Sequence, residues 1–300
     1  MNLLSSFWQD ANLLWVLSGT LLLGVSAAVT GGLAVLRQRA LIGDVLAHAA
    51  LPGIMIAFIL FESRSPGLIF SGALISSLVG YYLIGWISRV SKIKADAAMA
   101  VVLSLFFSIG LMALSYIQTL DTPNKAGLDR LLFGQAASMN QTDVAILSLV
   151  ALISLTLIIV LFHKLRLISF NRQYAQSLGI NVEFYELVFA LLLVMTVVIG
   201  LQIVGVVLMA AVLLIPITIA RFWACSLKSI LMLAAFFSGL SAIISTQVSL
   251  LAPAMPTGPW MVFILGVLFA FSWLFSPHRG VIKQRPCSTD KTQPQVMPDV

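Results

Sequence analysis

The chain has 300 residues, of which 60% are hydrophobic and only 9% charged, with a mean hydropathy of +1.05. Water-soluble domains run at about 45–50% apolar and about 25% charged, so a soluble globular protein is excluded, and the apolar content excludes disorder. Two cysteines, Cys225 and Cys287, are too few for a disulfide-built scaffold, and a net charge of +6 on such a chain reports loop chemistry rather than a nucleic-acid partner.

A backbone in lipid must satisfy its own polar groups, and a helix needs about 20 apolar residues to cross about 30 Å of hydrocarbon. On that scale the sequence reads as an all-α polytopic membrane protein of about nine transmembrane helices. The first ten residues, MNLLSSFWQD, contain Asp10 and no Lys or Arg. They lack the basic start of a signal peptide, so the first span, near 12–36, is expected to stay in the mature chain.

The second span, near 40–61, contains two polar residues in a costly place. Asp44 and His48 lie four apart, on one helical face. Counted from Arg39 as the cytoplasmic boundary, they lie roughly 7 Å and roughly 13 Å deep. A buried aspartate costs at least about 2.5 kcal/mol on insertion scales, so such groups face a partner, the bundle interior or a wet cavity. A carboxylate oxygen with an imidazole nitrogen suits a first-row divalent ion. Pro52 has no N–H, so the carbonyl of His48 loses its usual partner and is freed for a metal, a water or another helix if the span kinks there. Gly43, Ala47 and Ala50 allow close helix approach beside the pair. From the residues alone three roles remain open: metal coordination, a proton relay, or a packing pair. Two side chains do not close a metal site; a second copy of the helix, backbone oxygens or waters would have to complete it.

Spans near 66–88, 96–119 and 143–162 follow. The outer loop 120–143 carries Asp121, Lys125, Asp129, Arg130 and Asp143, and reads either as a docking site or as a solvated loop with a short re-entrant piece. Glu62 and Arg64 are expected to anchor at the interface. His163 needs no special role at a membrane face. The longest inside loop spans about 164–186. Its centre, Asn171 to Leu178, predicts a short amphipathic helix stopped by Gly179 in the left-handed conformation. Tyr174, Leu178 and Phe184 would project toward a soluble partner or lie on the bilayer.

Glu186 to Ala220 is one apolar run, about 50 Å as a helix, which is too long for one crossing and short for two. Gly200 and Gly205 offer a reversal between spans near 185–199 and 201–220. Spans near 229–250 and 259–275 complete nine, followed by a polar tail, 277–300, expected to be disordered. His278 and Cys287 in that tail lack metal-site spacing. With nine spans, an outer N-terminus and a cytoplasmic C-terminus, only Arg64, Lys125 and Arg130 of the 17 basic residues fall outside. One crossing over 186–220 spoils that bias, so two crossings are preferred.

No G-x-x-x-x-G-K-[ST] motif occurs, so the chain carries no P-loop ATPase and is read as a transport subunit rather than an enzyme. Active transport would then draw on a partner chain or an ion gradient.

RALIGDVLAHAALPGIMIAFIL (39–60), LDRLLFGQAAS (128–138), NRQYAQSLGINVEF (171–184) and VGVVLMAAVLLIPITIAR (204–221) resemble the ABC-3 family, the permease subunits of bacterial manganese, zinc and iron ABC importers. The resemblance covers about residues 12–275. It implies a type II ABC importer-like permease fold over 1–276 in the bacterial cytoplasmic (inner) membrane. The implied partners are a second permease copy or paralogue, two cytoplasmic ATP-binding subunits and an extracytoplasmic metal-binding protein. Membrane lipid surrounds the assembly and no nucleic acid is expected. It implies that Asp44 and His48 handle a divalent metal as cargo, with no permanently bound cofactor and ATP consumed by the partner. It assigns Asn171, Arg172, Tyr174, Ala175, Leu178 and Gly179 to the segment that meets the ATPase. Hard oxygen donors with water available favour manganese over zinc and iron. The rival expectation is a proton- or ion-coupled secondary carrier with Asp44 and His48 as its relay.

Overall fold

The computed structural model describes residues 11–62, 65–120, 141–249 and 257–276. Among them lie ten helices: α1 Ala11–Leu36, α2 Ile42–Phe61, α3 Pro66–Val90, α4 Ala95–Thr119, α5 Gln141–Phe170, α6 Arg172–Ser177, α7 Val182–Ile203, α8 Val206–Trp223, α9 Leu227–Ser249 and α10 Thr257–Phe275. Nine are long and apolar enough to cross a membrane, and the six-residue α6 is the exception. The all-helical, nine-span expectation therefore holds among the described residues.

Lipid tails are as apolar as leucine, so burial of apolar surface does not drive these helices together; close packing and interhelical hydrogen bonds do. The α2 helix is the hub of that packing, pressed against α3 and α4 and touching α7 and α8. Ser76 and Ser77 of α3 donate to the carbonyls of Ala49 and Leu46 at 2.7 and 3.0 Å. The helix continues across Pro52, whose ring lies over Gly110 of α4. Gly43 admits Leu213 of α8, while Ala47 and Ala50 are fully buried, as their small size led us to expect. On the other flank α1 packs against α9, α5 and α8. There the buried hydroxyls of Thr20 and Thr246 lie 3.3 Å apart, and Ser241 of α9 donates to the Met261 carbonyl of α10 at 2.8 Å.

Two boundaries differ from the sequence expectation. The fifth span does not stop at 162: α5 runs on through Lys164 and Arg166 to Phe170, because Leu161, Leu165 and Ile168 continue its buried stripe. The supposed inside loop therefore contracts to short corners on either side of α6. Of the two glycines expected to offer the reversal in the 186–220 run, Gly205 makes it, together with Val204, and Gly200 does not. Gly205 takes φ +95°, open to glycine at no steric cost. Gly200 stays helical and serves as a contact, since a Cβ there would collide with Met209. Nine residues of straight helix would span about 13.5 Å, so this contact exists only because the chain turns back.

Candidate functional site

Asp44 falls in the first turn of α2, where unpaired backbone N–H groups and the helix dipole favour a carboxylate by about 0.3–1 kcal/mol. One turn later, His48 points Nε2 at Asp44 Oδ1 across 3.5 Å. That gap exceeds the 2.7–2.9 Å typical of a charge-assisted hydrogen bond. It leaves room for a shared ion, since two donors each about 2.1 Å from a tetrahedral centre lie about 3.4 Å from each other. Phe107 of α4 holds the imidazole edge-on, with ring centroids 4.7 Å apart. Nδ1 is buried with no hydrogen-bond partner, so Nε2 is the nitrogen that faces the carboxylate.

The pair does not sit in the middle of this chain's helices. Asp44 keeps 30% and His48 14% of its side chain exposed, so the pair is half-buried at the margin of the packed helices. No third His, Cys, Asp or Glu joins the pair among the described residues. One protomer thus supplies two donors, each only partly covered by its own helices.

The predicted short helix is present as α6. Asn171 caps it, its side-chain oxygen accepting from the Tyr174 N–H at 2.9 Å. Gly179 ends it at φ +76°. Ala175 is fully buried against Ile168 and Val182, fixing α6 to the end of α5 and the start of α7. Arg172 reaches Glu186 of α7 at 3.1 Å, and Lys164 donates to the Tyr185 hydroxyl at 2.6 Å. Tyr174, Leu178 and Phe184 remain more than half exposed, forming an apolar knob on this braced corner. His163 is exposed beside Phe162. Arg64, the loop charges Asp121, Lys125, Asp129 and Arg130, the LDRLLFGQAAS segment, His278 and Cys287 lie outside the described residues.

One cluster escaped the sequence reading, which used Arg37 and Arg39 only as markers of orientation. Arg37 Nε donates to Ser169 Oγ at 3.0 Å, and its guanidinium carbon lies 4.0 Å over the Phe189 ring. Burial pushes this guanidinium below its ordinary pKa, and the fields of Tyr81 and Glu186 oppose that shift. Arg39 instead turns to the Tyr81 hydroxyl of α3 at 3.4 Å. Two arginines two residues apart usually signal only a membrane face, and nothing local in their sequence marks their partners.

A model of the ABC 3 transport family matches residues 9–276. The chain is 42% identical over 279 residues to the manganese transport system membrane protein MntC of Bacillus subtilis, an alignment covering 92% of this chain and 64% of that protein. It thus spans just under two thirds of that relative's length. It is 36% identical over 284 residues to the zinc transport system membrane protein TroC of Treponema pallidum, covering 95% of each. The fold superposes on a chain of PsaBC from Streptococcus pneumoniae, solved in complex with Fab, with a TM-score of 0.79 and 28% identity over 91% of this chain and 95% of that one. Taken with nine membrane-length helices and the Asp–His face of α2, these matches identify the chain as a member of the ABC 3 transport family.

Proposed function

We propose that this chain is the permease subunit of a bacterial ABC importer that moves a divalent transition-metal ion into the cytoplasm. The observation that carries the reading is the Asp44–His48 pair, with donor atoms 3.5 Å apart on a half-buried edge of a membrane-spanning helix. Ionisable groups on a span are unstable against lipid, so such an edge calls for a partner surface. A second copy or a paralogue apposed there would bring two further donors and enclose a path. The site would then hold an ion briefly and release it, which conduction requires. Relatives named for manganese and for zinc keep both metals, with iron, as candidate cargo. Manganese stays first, because a carboxylate oxygen with water available suits a hard ion.

Residues 1–276 serve in this reading as one permease domain, with 277–300 as a polar cytoplasmic tail. The N-terminus faces outward, where a metal-binding protein delivers the ion. Two cytoplasmic ATP-binding subunits dock on the α6 corner through Tyr174 and Leu178, with Arg172, Asn171, Ala175 and Gly179 holding the corner in shape. The carbonyl of His48, which Pro52 leaves without its i+4 N–H partner, would add a further oxygen donor where α2 kinks during transport.

The test is uptake into vesicles bearing the complete complex, with manganese, zinc and iron in direct competition. ATP-dependent accumulation of one of them supports the reading. Uptake by the chain alone, driven by a proton or ion gradient, overturns it in favour of a secondary carrier.

A further inference from the structure

The turn between α1 and α2 consists of Arg37 to Leu41, with Gln38 in the left-handed region at φ +56°. It leads directly into the first turn of α2, where Asp44 lies. Its two arginines grip different neighbours: Arg39 holds Tyr81 of α3, and Arg37 reaches the α5–α6–α7 corner. Ser169, which accepts from Arg37, lies two residues before the Asn171 cap of α6, and its own hydroxyl donates to the Leu165 carbonyl at 2.6 Å. A rigid chain of contacts therefore joins the exposed corner to the base of the Asp44 helix.

The joint is incomplete in this conformation. Arg37 Nη2 is buried without a hydrogen-bond partner. A cavity of about 160 Å³ lies beside it, bounded by Arg37, Arg39, Ile168, Ser169 and Glu186. The carboxylate on that cavity is the one now bound to Arg172 of α6. A buried donor left open favours any rearrangement that supplies an acceptor, and here the acceptor and the space are both at hand.

We infer that Arg37 is a positioning residue that transmits movement of the α6 corner to the Asp44 helix, with Glu186 exchanging Arg172 for Arg37 as the corner moves. Two alternative pairings of one carboxylate make a two-state element that both ends can bias. The inference rests on the ABC importer reading above, since the corner must be moved by an ATPase.

The experiment measures ATP hydrolysed and manganese taken up, side by side, in vesicles holding the full complex. Arg37→Gln lowers uptake by about tenfold while hydrolysis stays within about twofold, so the transport-to-hydrolysis ratio collapses. Arg37→Lys, which keeps the charge but not the planar fork that stacks on Phe189, gives an intermediate ratio. Ser169→Ala, a mild change, lowers the ratio by about threefold. An unchanged ratio, whether both rates fall together or neither falls, overturns the inference. If Arg37→Gln does not assemble, a wild-type ratio in Arg37→Lys and Ser169→Ala overturns it equally. Wild-type vesicles without ATP-dependent uptake overturn the importer reading itself, an outcome separate from all of these.

Discussion

Gly53 of α2 and Gly72 of α3 meet backbone to backbone: a Cβ on Gly53 would strike the Gly72 carbonyl oxygen, and one on Gly72 would lie 2.5 Å from the Gly53 carbonyl oxygen. With Ser76 and Ser77 donating to α2 carbonyls nearby, this contact sets how closely α3 backs the helix that carries Asp44 and His48. Neither side chain nor backbone can yield there without moving a helix.

Gly72→Ala is therefore expected to destabilise the protein by about 1–3 kcal/mol through overpacking. Gly85→Ala, in the same helix but with nothing within 4 Å of its Cβ, leaves stability unchanged or slightly raised. Thermal unfolding of the two variants in detergent checks this. Equal midpoints would show that the α2–α3 approach is looser than described.

Asp44→Asn and His48→Gln should each reduce metal uptake by at least the ~10-fold that loss of a mere outer-shell partner costs. Both side chains are only partly covered by the chain's own helices, so the subunit should still fold and assemble. Uptake and complex yield are measured together. Intact uptake with either substitution would reduce the pair to a packing role.

Asn171→Ala removes the cap of α6 and should cost about 1 kcal/mol of local stability. Gly179→Ala forces a Cβ into the left-handed region at φ +76°, costing about 1–2 kcal/mol. Hydrogen exchange should quicken over residues 171–181 in both variants and remain slow in the middle of α2. Uniform quickening across the chain would mean the corner is not an independent unit.

Tyr174→Ala and Leu178→Ala remove exposed apolar surface, so the melting temperature should not change. If these residues anchor an ATP-binding subunit, each substitution weakens its association by about 2 kcal/mol, the scale of an interface hot spot. Pull-down of the ATPase subunit under increasing salt reads this directly. Full retention of the partner would place the docking surface elsewhere.

What could be read in sequence was whatever repeats within a few residues. Apolar runs gave the helices, Asn171 and Gly179 bracketed α6, and the i, i+4 spacing put Asp44 and His48 on one face. The end of α5 was misjudged because Lys164 and Arg166 resemble a membrane boundary, although Leu165 and Ile168 beside them stay buried. Gly200 and Gly205 both offer the turn in sequence, because glycine marks reversals and close contacts alike, and only the position of Met209 shows that Gly200 is the contact and Gly205 the turn.

Composition alone therefore decided the solvent, the helical class and the short list of unusual residues, because in lipid every unsatisfied polar group is expensive enough to leave a local mark. Tertiary structure decided the rest. That Asp44 and His48 are only partly covered by their own chain depends on which sides of α2 are packed against α3, α4 and α8. That Arg37 meets Ser169 depends on bringing together residues 132 apart in sequence. Helix packing in a membrane turns on small residues and single hydrogen bonds between distant segments, and no periodic pattern along one segment encodes its neighbour.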